Sequence, residues 1–214
     1  TEAKVEFEAE GYEVQTTRLA TIPFPLILGA DKIHETPRLA GEISQLLPEI
    51  GIEYAALGPA LPGNPNSYLV LPDAIAVSKN VFFSGVMAEP KHGISLAAIK
   101  ACAEVIVRVA PLDPNGFANL NFAALANVPP GTPFFPASYH EGNEPAFALA
   151  MEAADAAVTA FGNAGTVEEG RNSLVAALEE NAKKLMKVAD LLKYKYMLKF
   201  GGIDFSLAPF PEES

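Results

Sequence analysis

His140, Glu141 and Glu144 stand close together in GTPFFPASYHEGNEP, residues 131–145, a stretch broken throughout by proline and glycine. An imidazole that titrates near neutrality, set beside carboxylates, suits general acid-base work. The same residues imitate part of a metalloprotease helix whose second histidine is replaced. That pattern needs a helical turn to bring its ends together, and Gly142 and Pro145 set the helix start after this segment. No metal is assigned on these grounds; Asn143 or Glu144 reads as a helix cap and His140 as a proton carrier.

A second group surrounds Lys91 and His92, which follow the apolar run VFFSGVM and precede GISLAAIKACAEVIVRVA, read as a helix from about Gly93. A lysine beside a helix N-terminus adds its charge to the free N–H groups there and makes an anion site; its structural alternative is a solvated loop lysine. Asn119 and Asn121 fall in GFANLNFAALAN, read as a strand, where a buried amide either binds a ligand or ties neighbouring strands. Asp204, between Ile203 and Phe205, needs a cation or several donors if buried, and Arg18 is a candidate partner. Ser206 comes late in the same strand. His34 reads as plain surface. The set predicts a site for a small anionic metabolite, with His140 and Asp204 in catalytic roles and Lys91, His92, Asn119, Asn121 and Ser206 binding. No cofactor is legible.

These residues converge only if the elements between them form parallel strands, whose carboxyl ends gather on one rim. The pattern supports this. Residues 3–10 read as a helix stopping at Gly11, YEVQTTRLAT as a strand, and Thr36 as the cap of a helix with Pro37 at its first position. IEYAALG and VFFSGVM are further strands, the second with no polar face at its start, as a sheet covered on both sides requires. PDAIAVSKN is a short helix between them. Phe147, Met151, Ala154, Val158 and Phe161 recur at helical spacing, and a second long helix starts from Thr166 with Glu169 as a capping box. There Glu179 and Glu180 stand four residues before Lys183 and Lys184. GGIDFSLAP reads as a last strand. The expectation is an α/β fold, a parallel sheet of βα repeats with about five strands, in a single domain over residues 1–214.

Composition narrows the partners. The chain has 214 residues, half of them apolar, with a mean hydropathy of +0.18, so it can bury a substantial core. Its net charge of -11 repels polyanions and argues against nucleic acid as a partner. The one cysteine, Cys102, reads as a buried helical residue and fits a reducing cytoplasm. No apolar run approaches the roughly 20 residues of a membrane span, since Lys100, Glu104 and Arg108 interrupt the most hydrophobic stretch. The abrupt opening and closing read as those of a fragment.

Three stretches, VFFSGVMAEPKHGISLAAI, FANLNFAALANVPPGTPFFPASYHEG and FGGIDFSLAPFP, together resemble an uncharacterised bacterial and archaeal family, domain of unknown function seven-one-one. The resemblance runs from about residue 70 to residue 211. It implies the α/β barrel of the pyruvate formate-lyase-like superfamily, or part of one, and a homodimeric habit, with no activity attached. FALAMEAADAAV, read as an alanine-rich helix, lacks the phosphate-cradling glycines of other members, and no Arg-Val-x-Gly-aromatic motif for glycyl-radical chemistry exists. An open half-barrel would expose strand edges that another copy or a second chain must cover. Beside the metabolite-site reading stands a non-catalytic subunit whose loop at 131–145 makes protein contacts.

Overall fold

The computed structural model describes residues 2–142 and 144–207. The chain divides into two compact units, Gln15–Gly142 and a second formed by Thr1–Val14 with Asn143–Ser214. In chain order the elements are α1 (Glu2–Ala9), β1 (Arg18–Ala20), α2 (Phe24–Leu28), α3 (Thr36–Leu46), β2 (Tyr54–Ala60), α4 (Asn66–Leu69), α5 (Leu71–Ala76), β3 (Val81–Glu89), β4 (Gly93–Ile94), α6 (Leu96–Val109), β5 (Phe122–Ala126), β6 (Ala146–Glu152), α7 (Ala154–Gly162), α8 (Val167–Tyr196) and β7 (Lys199–Ser206). The fold is mixed α/β with mostly parallel strands, and among the described residues they do not close into a barrel. No helix among those residues is long and apolar enough to cross a membrane.

In the unit Gln15–Gly142 the parallel strands lie in the order β1, β2, β3, β5. Leu57, Val81, Phe83 and Phe122 project from one face into a core with Phe24 of α2 and with Ala98, Cys102, Val105 and Val109 of α6. Phe24 and Phe83 meet edge to face at 5.6 Å, a geometry that adds to their burial. α6 and α4 sit close on β3: a Cβ built at Gly85 would stand 2.9 Å from the Cys102 sulfur and 3.0 Å from a Tyr68 ring carbon. The Tyr68 hydroxyl then donates to Val86 O at 2.6 Å.

The second unit pairs β6 with β7 in parallel, with the 30-residue α8 as crossover. Phe147, Leu149 and Met151 alternate along β6 and, with Ile203 and Phe205 of β7, pack on Leu185, Val188 and Leu192 of α8. Thr166 caps α8 by accepting from Glu169 N at 3.2 Å, while Glu169 Oε2 accepts from Gly165 N at 2.9 Å. Lys184 pairs with Glu180 at 3.9 Å.

Several expectations are corrected. Residues 146–152 form strand β6 rather than the start of a helix, because Phe147 and Met151 fit either period and the pairing with β7 decides for the strand. No helix begins for Glu144 to cap; it precedes β6, and Asn143 lies outside the described residues. Phe117–Asn121 is a 3-10 helix after the left-handed Gly116, and Asp113 Oδ1 accepts from Asn115 N at 2.8 Å, so only Phe122–Ala126 is strand. The first strand shrinks to Arg18–Ala20. Thr36 is the first residue of α3, not its cap, and its hydroxyl donates to Ile33 O at 2.6 Å. α6 starts at Leu96 behind a Ser95 cap, because Gly93 and Ile94 pair antiparallel with β3. Among the described residues there are seven strands rather than five. Ala208 and Pro209, at the end of the expected last strand, lie outside them.

Two substitutions probe the packing around the sheet. Gly58 sits at φ +72°, and its Cβ would fall 2.8 Å from Pro23 Cα, a backbone atom. Gly58→Ala should therefore lower the stability measured by urea unfolding by about 1–3 kcal/mol. Burial pushes the Cys102 thiol from 9.0 up to about 11. The folded state disfavours its thiolate, so this contribution is intact below pH 9 and is lost as the pH rises towards 11. The urea midpoint of the wild type should fall more steeply over that interval than that of Cys102→Ala.

Candidate functional site

The carboxyl ends of β3 and β5 meet at Ala88–Ala126, whereas β1 ends at Ala20, level through Ala56 with Phe82 near the start of β3. Two backbone contacts tie the long loop after β5 to the strands. Asn127, with φ +55°, donates its N–H to Ala88 O at 2.9 Å at the loop's start. His140 donates its N–H to Thr21 O, just past β1, at 2.9 Å near the loop's end. Within the loop Gly131 N donates to Tyr139 O at 2.8 Å, and the Tyr139 hydroxyl donates to Val128 O at 2.8 Å. Residues 131 to 139 therefore make a closed excursion. Its tip reaches the other end of the strands, where Phe135 meets Phe82 at 5.6 Å and lies under the Arg18 guanidinium, 5.5 Å from its centroid. Phe135 thus anchors the loop at the amino ends of the strands, while Phe134 is exposed.

Lys91 and His92 occupy the turn between β3 and β4, both exposed, with β4 standing between them and the start of α6. The helix N-terminus therefore does not adjoin Lys91 in sequence as expected. Glu89, at the end of β3, stands 2.7 Å from His92 Nδ1. With a proton on Nδ1, the imidazole donates to this carboxylate and turns the Nε2 lone pair outward, the form a general base requires. Tyr139 joins the same neighbourhood: burial first, then the charges of Glu141 and Glu89, hold its phenol above the ordinary value.

The end of β3 thus collects Glu89, Lys91 and His92, with Tyr139 near enough to feel the charges of Glu89 and Glu141, whereas His140 is tied through its backbone to Thr21, level with the start of β3. Glu89 was missed in the sequence, although its spacing of three before His92 in AEPKH was a usable signal. Asn127, the left-handed residue that turns the chain out of β5, was missed as well.

Other expected site residues lie elsewhere. Asn119 and Asn121 belong to the 3-10 helix before β5, at the amino end of the sheet. The Asn121 amide donates to Lys79 O at 3.4 Å and Val81 O at 3.3 Å, tying the starts of β3 and β5. Asn119 Oδ1 is buried without a hydrogen-bond partner. Asp204 and Ser206 belong to β7 in the second unit, both half-buried and opposite in register to Ala150 and Glu152. They alternate with Ile203 and Phe205 and so lie on the face turned away from α8. Arg18, the proposed partner of Asp204, is engaged within its own unit by Tyr54, by Phe135 and by Thr16 Oγ1, to which its Nε donates at 2.9 Å.

The Glu89–His92 pair makes one expectation measurable. In nitrogen-proton correlation spectra at alkaline pH, His92 should show the tautomer protonated at Nδ1, and Glu89→Gln should redistribute it towards the Nε2 form. An unchanged tautomer ratio would mean that the carboxylate does not orient the ring.

UPF0210 proteins are similar to nearly the whole chain. That of Methanopyrus kandleri is 26% identical over 223 residues, covering 95% of this chain and 48% of its own length. The one from Methanococcoides burtonii is 22% identical over 214 residues, covering 94% and 47%. A third, from Actinobacillus pleuropneumoniae, is 25% identical over 228 residues, covering 98% and 49%. The chain spans about half the length of the curated relatives it matches. The family model described as Uncharacterised ACR (DUF711) matches residues 1–214, and the chain belongs to that family.

Proposed function

We propose that the chain binds a small anionic metabolite at the carboxyl end of its parallel strands. The observation that supports this reading is the Glu89–His92 pair beside Lys91 at the end of β3, with Tyr139 close enough to feel the Glu89 charge. Lys91 supplies charge to the anion, His140 carries a proton, and His92 presents its outer nitrogen. Glu89 and Glu141 restrict the rim to a ligand that also offers donors, because bare carboxylates repel an anion. Asn121 is assigned to holding the strand starts. Asp204 and Ser206 form a separate polar group at the end of β7.

The parallel sheet and the family fit a part of a pyruvate formate-lyase-like barrel in the cytoplasm, completed by another copy or a second chain. An interaction role without catalysis is the second reading. It is favoured by the apolar residues that α6 leaves exposed.

A thermal-shift screen with inorganic phosphate and with small hydroxy- and dicarboxylates tests the first reading. A ligand at a hundred times its Kd adds about 2.7 kcal/mol, or roughly 5–10 °C for a chain of this size. The shift should disappear in Lys91→Ala and His140→Ala. If it survives unchanged in both, those residues do not hold the ligand.

A further inference from the structure

Tyr54, Phe82 and Ser84 lie on the face of the sheet that α6 does not cover. Phe83 and Ala55 enter the core under the helices, so by the alternation of a strand their neighbours project the other way. Tyr54 and Phe82 meet edge to face at 5.6 Å. The Arg18 guanidinium stands over Tyr54, 5.9 Å from its centroid, and Thr16 Oγ1 holds its Nε at 2.9 Å. That leaves the two terminal nitrogens as an oriented fork. Arg38 and Arg108 each hold a carboxylate; among the described residues none pairs with Arg18. Ser84 follows Phe82 on the same face, two residues or about 6.6 Å further along β3. It is fully buried, and its hydroxyl has no hydrogen-bond partner, a costly state that calls for an explanation.

Phe135 closes this group from the loop after β5, with its ring 5.6 Å from Phe82 and 5.5 Å from the Arg18 guanidinium. The loop is fastened around the ring rather than at it. Gly131 N donates to Tyr139 O and His140 N to Thr21 O, whereas among the described residues no hydrogen bond holds 133–138. We infer that Phe135 is an internal stand-in for the ring of an aromatic carboxylate, and that the slot bounded by Arg18, Tyr54 and Phe82 binds such an acid when Phe135 moves out. An aromatic acid keeps the ring contacts with Phe82 and with the cation, and its carboxylate accepts both arms of the guanidinium fork. An aliphatic acid forfeits the first and a neutral ring the second. Arg18 and Ser84 stand on β1 and β3, two strand spacings or about 10 Å apart, so a hydroxyl at the far end of the ligand ring reaches Ser84. This slot is separate from the anion site proposed beside Lys91.

Calorimetric titration of the whole chain with benzoate and 4-hydroxybenzoate reads the slot. Phe135→Ala should bind benzoate roughly tenfold or more tightly than the wild type, because the slot is then no longer self-occupied. On that background Arg18→Gln should abolish the gain, and Ser84→Ala should remove a preference for 4-hydroxybenzoate over benzoate. No gain in Phe135→Ala, or a gain that survives Arg18→Gln, overturns the slot. An equal gain for cyclohexanecarboxylate overturns the aromatic class, and a hydroxyl preference that persists in Ser84→Ala overturns the role of Ser84. A gain lost on adding Lys91→Ala places the ligand at the end of β3 and overturns the slot while leaving the proposed anion site standing. If circular dichroism shows that Phe135→Ala does not fold, the wild type decides: nuclear Overhauser contacts between the Phe135 and Phe82 rings should fade in a large excess of benzoate, and their persistence overturns the inference.

Discussion

β3 is held in parallel on both edges, by β2 through Ala55–Val81 to Ala60–Gly85 and by β5 through Phe83–Phe122 to Ala88–Ala126. Its apolar face lies under α6, and the absence of a side chain at Gly85 lets Cys102 and Tyr68 come down onto its backbone. This doubly paired strand fixes the height at which Glu89 ends and hence where His92 and Lys91 are offered. Asn127 hangs on the same strand through Ala88 O. A shift of β3 by one residue would turn Phe83 out of the core and carry the rim with it.

How far the sequence could be read followed from which interactions are local. β2 and β3 announce themselves as apolar runs, and the Thr166 capping box is complete within a few residues. β6 was hidden because Ala146–Glu152 is compatible with a helix until β7, nearly fifty residues later, supplies the pairing. The 3-10 turn at Phe117–Asn121 was obscured by an alternation that mimicked a strand. At the site, Lys91 and His92 could be placed after β3 from its apolar run alone, whereas the anchor of His140 on Thr21 O depended on how far β1 extends. The roles of Asn121 and Glu89 depended on a backbone carbonyl and a ring nitrogen that sequence alone does not position. The division of the expected residues between two units, with Asp204 and Ser206 on β7, is likewise a tertiary property.

Relatives from archaea and bacteria are about a quarter identical to this chain. At that distance hydrophobic pattern and turn chemistry can persist while individual side chains drift, so the rim residues of this chain are argued from its own geometry.

The loop from Asn127 to His140 runs along β3, from its attachment at Ala88 O to Phe135 beside Arg18 and Phe82, with His140 pinned one residue past the Ala20–Ala56–Phe82 row. It is a strap fastened at one end by Asn127 and at the other by an aromatic ring and a backbone amide on neighbouring rungs. Removing a residue between Asn127 and Phe135 would force a choice between the two fastenings, so the contour of this segment is matched to the length of β3.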